Sequence, residues 1–218
     1  LGGLAGFKIC GTMDVNRYSK NLIDIEVNNA GTNPSVRFGG MAMYGNHDFT
    51  MRNTKITLSG DLDGTSGHTS SGAIFAVTLP ATYIIEDCEI IIEDLIASRY
   101  VGGLNGSSSG AVKSLTIVNT SFDVNIIHGS ALYSEGAGFG GISGSLHATN
   151  IELDGITVKS KFDRADRTAT GGAFGHITIY DNADTTKAST FKNITVDTDI
   201  AIAGSDSIHS ARGAGGFV

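Results

Sequence analysis

Proline is almost missing from this chain, with 2 residues in 218 against 30 glycines. That contrast excludes collagen-like repeats and proline-rich linkers. Charge is scarce too. Asp, Glu, Lys and Arg make 17% of the residues, below the roughly one quarter usual in soluble domains. Long solvated helices, coiled coils and charge-driven disorder are therefore excluded. No apolar run approaches the roughly 18 residues of a membrane-spanning helix. The 15 basic residues are dispersed and the net charge is −7, which argues against a nucleic-acid partner, since phosphate binding needs a basic face. Two cysteines, Cys10 and Cys88, are too few for a disulfide framework. They either pair with each other or stay as small apolar core residues, and the second is the expectation because free cysteine is commonly buried.

What is abundant points one way. Isoleucine (23) and threonine (21) far outnumber leucine (12), and β-branched residues favour strands. Hydrophobic residues at 40% supply ample core for one domain spanning 1–218. The chain opens at Leu1-Gly2-Gly3-Leu4 without an initiator Met or a signal sequence, as expected of a processed product or part of something longer.

A repeat organises the whole length. A glycine pair followed by an apolar residue starts at positions 2, 39, 71, 102, 140, 171 and 215. Gly39-Gly40-Met41, Gly102-Gly103-Leu104, Gly140-Gly141-Ile142 and Gly171-Gly172-Ala173 are clear copies, and Ser71-Gly72-Ala73 is a weaker one. Between successive pairs sits an Asn or Asp beside an apolar alternation: Asn21, Asn53, Asp87, Asn119, Asp154 and Asn193. Each half-interval has a minimum of about 14 residues with variable excess, the pattern of a fixed coil carrying loops of differing length.

The physics of such a coil follows directly. Alternation such as Ile151, Leu153 and Ile156, Val158 turns every second side chain inward. One repeat cannot bury that face alone, but stacking repeat on repeat can, and it pairs the backbone along the axis. Asn and Asp tolerate left-handed backbone at a bend and can bond along the stack. A glycine pair suits a tight corner. The sequence therefore predicts an all-β, right-handed parallel β-helix of about six coils. An antiparallel sandwich is the alternative, but it would space short strands at 8–12 residues without this register.

The motifs Gly2-Gly3-Leu4-Ala5-Gly6-Phe7 and Gly140-Gly141-Ile142-Ser143-Gly144 resemble the GLUG repeat of bacterial surface, adhesin-like proteins. The wider pattern is similar to pectin-lyase-type β-helices. The resemblance implies a secreted or surface-exposed structural or adhesive protein without catalysis. The pectin-lyase side implies the alternative, a polysaccharide lyase or glycoside hydrolase. The coils here are longer and less even than GLUG repeats.

Candidate chemistry is sparse. Glu86, Asp87, Glu89, Glu93 and Asp94 offer carboxylates for acid–base work or a cation, but Glu86, Glu93 and Asp94 read more simply as outward strand or turn residues that keep an Ile-rich strand soluble. Asp61-Leu62-Asp63-Gly64 opens like a calcium loop without its later ligands. Ca²⁺ is thus the one cofactor the sequence leaves open, and no metal or catalytic residue is assigned. Asp181, Asn182 and Asp184 read as a polar loop, and Lys161–Arg167 as a solvated one. His47, His147 and His176 follow glycine pairs at similar distances, and only His147 and His176 can be close neighbours. Sequons at Asn105, Asn119 and Asn193 are glycosylation candidates; bend chemistry also accounts for Asn119 and Asn193, leaving Asn105 the better acceptor.

Neither end carries a capping helix. Leu1, Gly2, Gly3 and Leu4 at one end, and Gly215, Gly216, Phe217 and Val218 at the other, are candidates for self-association, because an uncapped solenoid exposes strand edges and core. The expected partner is a second copy, in an oligomer or filament, with glycans as further contacts and no membrane insertion.

Overall fold

The computed structural model describes residues 5–9, 13–15, 21–28, 36–62, 68–97, 99–128, 137–163, 168–180, 188–201 and 213–218. Every strand ladder among them is parallel. The chain is a right-handed parallel β-helix. Its first turn runs through β1 (Ala5–Ile9), β2 (Met13–Val15), β3 (Asn21–Asn28) and β4 (Val36–Gly39). The second takes β5 (Ala42–Gly45), β6 (Phe49–Arg52), β7 (Thr54–Asp61) and β8 (His68–Gly72). The third takes β9 (Phe75–Thr78), β10 (Thr82–Glu86), β11 (Glu89–Ala97) and β12 (Tyr100–Gly102). The fourth takes β13 (Asn105–Ser108), β14 (Ser114–Val118), β15 (Ser121–His128) and β16 (Ala137–Gly140).

Two reduced coils follow. One contains β17 (Leu146–Ala148), β18 (Ile151–Phe162) and β19 (Thr168–Gly171). The other contains β20 (Ile177–Ile179), β21 (Thr190–Ile200) and β22 (Gly213–Gly215). The expected six coils are thus about four full turns. The β1-β5-β9-β13 sheet continues only as the bridges Asn105–Ser143 and Ser143–Phe174. Gly144 and Gly175 follow these bridges, in the column of Gly106. A Cβ on either would run into backbone, with Gly106 O at 2.6 Å from one and Phe139 N at 2.7 Å from the other, and glycine weakens a strand.

The alternation predicted from sequence sets the core. Met51, Ile85, Ile117 and Leu153 form one inward column, and Ile56, Ile90, Phe122 and Val158 another, all buried. In Ile90-Ile91-Ile92 the first and third point inward and Ile91 is half-exposed. β18 runs unbroken through the bend that interrupts earlier coils, so it joins β2-β6-β10-β14 and β3-β7-β11-β15 into one ten-stranded sheet with β21. Edge-to-face contacts at Phe49–Phe75 (4.9 Å) and Phe75–Tyr83 (5.7 Å) fill the interior, a geometry that aromatic quadrupoles favour.

Both corner types are as expected in kind, each with a one-residue correction. Asn53, Asp87, Asn119, Gly155 and Asn193 share one register position and all have positive φ, from 46° to 67°. Asp154 is therefore the neighbour of the bend residue. Asn21 pairs with Thr54, one step past the bend. On the glycine column, Gly39 pairs with Gly72, so the weak copy starts at Gly72 rather than Ser71; Gly72 pairs with Gly102, Gly140 with Gly171, and Gly171 with Gly215. At each of these glycines a Cβ would press on the carbonyl oxygen three residues ahead, at 2.8 Å for Gly102 on Asn105 and closer for the rest. The second glycine faces the opposite sheet, where a Cβ on Gly172 would meet Val196 at 2.6 Å.

Just inside the bend lies a row of small donors. Thr54 Oγ1 donates to Arg52 O (2.8 Å), Cys88 Sγ to Glu86 O (3.1 Å) and Thr120 Oγ1 to Val118 O (2.8 Å). Each satisfies the carbonyl two residues back. Cys88 is a buried free thiol, in the same role as its threonine neighbours; Cys10 lies outside the described residues.

Candidate functional site

The last coil is where core positions meet solvent. Leu153, Ile156, Val158 and Phe162 on β18 are at most 1% exposed, whereas their partners on β21 are open: Phe191 is 40% exposed, and Ile194, Val196 and Ile200 are half-buried. Among the described residues β21 pairs only with β18, and β22 only with β19. Phe217 is half-buried between Phe174 (5.6 Å) and Phe191 (5.9 Å), and Val218 is 51% exposed. Gly216 has open space around its Cβ direction, unlike the other described glycines of the corner column. Gly215, Gly216, Phe217 and Val218 thus all border this surface, while Leu1, Gly2, Gly3 and Leu4 lie outside the described residues. Phe191 was not singled out from sequence, although counting back in twos from Asn193 along β21 reaches it.

A scan of protein-family models and searches of curated proteins and of solved structures found no match to this chain.

The outer faces are paired coil to coil. Arg52 bonds Glu86, Lys55 Nζ lies 3.0 Å from Glu89 Oε1, and Asn125 donates to Asp94. Asn119 Nδ2 donates to Asp87 Oδ1 at 3.3 Å. Four of the five candidate carboxylates of the third turn are therefore engaged with a neighbouring coil. Asp61 ends β7 and Leu62 is buried; Asp63 and Gly64 lie outside the described residues. So do Asp181, Asn182, Asp184 and residues 164–167. Lys161 and Phe162, expected in a loop, end β18, with Phe162 in the core against Phe139 at 6.0 Å. The 12-residue strand extends further because its inward alternation continues through Ser160 and Phe162.

The sequons differ in placement. Asn105 is fully buried on β13 and its Nδ2 donates to Thr78 Oγ1 at 3.1 Å, so the residue favoured from sequence has no access to solvent in the folded chain. Asn119 and Asn193 are exposed bend residues.

His147 and His176 come together, as the spacing allowed. Their ring centroids are 6.0 Å apart, and Tyr180 lies 6.0 Å from His147 on its other side. Thr178 Oγ1 sits 3.1 Å from His176 Nε2. His47 is exposed on an earlier turn. Tyr180 escaped notice in the sequence; the alternation His176, Thr178, Tyr180 is the signal that marks one face. Among the described residues no three His, Cys, Asp or Glu side chains cluster as metal ligands.

Proposed function

We propose that this chain is an extracellular structural or adhesive β-helix of the GLUG-like kind, acting through coil-on-coil association and lateral contact. The observation that carries this reading is the last coil. Phe191, Phe217 and Val218 stand at positions that are core one coil earlier, and an 11-residue strand has one edge unpaired among the described residues. A further β-coil laid on that edge satisfies both the backbone and the apolar surface. The same coil supplied by a second copy extends the solenoid as a heterologous, open-ended assembly; within a longer adhesin it continues one rod. The outer faces, built of hydroxyls and paired charges, suit neighbouring subunits or glycans.

Electron microscopy of the purified chain across a concentration series tests self-association. Rods that lengthen with concentration are expected, with an axial repeat of about 29 Å from six rungs at about 4.8 Å. Single particles at every concentration overturn it.

A further inference from the structure

We propose that His147 and His176 form a two-imidazole site for a borderline divalent transition metal ion, with Cu²⁺ the tightest. The two rings lie on successive coils of one outer face, and β17–β20 pairing fixes their spacing through the backbone, with His147 directly opposite Thr178 in register. Metal–nitrogen bonds of about 2.0–2.1 Å place two ring centroids about 4.5–5 Å apart on one ion, from the 90° angle of tetragonal Cu²⁺ to the wider tetrahedral one. The observed 6.0 Å closes to that distance by a small side-chain rotation. His147 is half-buried and His176 exposed, so the pair opens to solvent.

Thr178 supplies the second element of such a site. His176 Nε2 and Thr178 Oγ1 are 3.1 Å apart, and in the tautomer that carries its proton on Nε2 the ring donates to the hydroxyl and leaves its lone pair on Nδ1. Histidine ligands commonly anchor the other ring nitrogen in this way, which sets the tautomer and holds the ring. The ligand set selects the ion. Among the described residues no carboxylate or thiol joins the two imidazoles, so hard ions such as Ca²⁺ and Mg²⁺ lack their oxygen ligands. Imidazole suits Cu²⁺, Ni²⁺ and Zn²⁺, with Cu²⁺ first in the series. With two ligands among the described residues, positions on the ion stay open to water, which makes it exchangeable.

The full chain in metal-free buffer is titrated with CuCl₂ while the ring protons of its six histidines are followed by NMR. Paramagnetic broadening of two of the six first, assigned to His147 and His176, is expected. H147A and H176A should each lower affinity at least tenfold, and T178V about tenfold, while H47A leaves it unchanged. Ni²⁺ should bind more weakly than Cu²⁺. Broadening confined to other histidines, or to none, overturns the site on the parent chain alone, whatever the variants do. Equal affinity in the H147A/H176A double variant, with circular dichroism unchanged, also overturns it.

Discussion

Asn193 reaches past Gly155, the residue it stacks on, and donates its side-chain amide to Asp154 Oδ1 at 2.8 Å. Position 155 is thus relieved of the side-chain bond and keeps only the backbone demand, a φ of 67°. In the neighbouring coils one residue meets both demands: Asn119 holds φ at 46° and donates to Asp87. Asn119→Ala should therefore cost about 1–2 kcal/mol for left-handed backbone on a residue with a Cβ and no compensating bond. Asn119→Gly should recover most of that. Urea denaturation followed by far-UV circular dichroism measures both.

The glycine column gives a sharper contrast. A methyl at Gly140 meets Gly175 N at 2.6 Å and Ala173 O at 2.8 Å, backbone atoms that cannot step aside singly. Gly140→Ala is expected to destabilise by about 3 kcal/mol or more, and Gly216→Ala, with nothing within 4 Å, by less than about 0.5 kcal/mol. Equal midpoints for the two variants would refute the corner role.

Cys88 carries an alkaline signature. Burial pushes its thiol from 9.0 up to about 11, because the charged form loses its water. The folded state therefore prefers the protonated thiol. Its contribution is complete below pH 9 and is lost as pH rises through about 11, amounting to about 2–3 kcal/mol at the limit. Tyr83, raised from 10.0 to about 12 by burial, acts the same way one step higher. Denaturation midpoints should fall above pH 9, and less steeply in Cys88→Thr, which matches Thr54 and Thr120. Iodoacetamide should label the Cys88 peptide in urea and spare it in the folded chain.

Stacking of copies should respond to salt. In continued register, Asp24 of one copy would follow Asp197 of the next, and Glu26 would follow Asp199, from the columns that run through β3, β7, β11, β15, β18 and β21. Directly opposed like charges cost about 0.2–1 kcal/mol per pair. Lys159 and Lys161, the β18 partners of Asp197 and Asp199, offset part of this. Rods should form at lower protein concentration as ionic strength rises, and Asp24→Asn with Glu26→Gln should shift the onset the same way. Light scattering that is flat across salt would exclude this register.

Much of the fold was legible because corners impose residue types. Only glycine fits where a carbonyl lies three residues ahead, and Asn, Asp or Gly is favoured at positive φ, so both columns surface as sequence repeats. The register slips at Asp154 and Ser71 arose where a neighbour imitates the expected type. Asp154 beside Gly155 is the plain case. Asn105 misled for a different reason: a sequon carries no information about burial, and its inward position is set by the bridge to Ser143. The spacing of His147 and His176 from the glycine pairs allowed their proximity without requiring it. Tyr180 was not foreseen, because its role depends on how far β20 continues beyond the corner.

From the second turn on, each coil carries its own glycine corner and its own left-handed bend, and the column positions agree from coil to coil while loop lengths do not. A stretch of gene from one glycine corner to the next therefore encodes one coil, complete in its corners though dependent on its neighbours for burial. It can be copied or lost in a single recombination event, and the flanking turns would close on each other without re-registering a strand. Length, in such a protein, can change in steps of one coil.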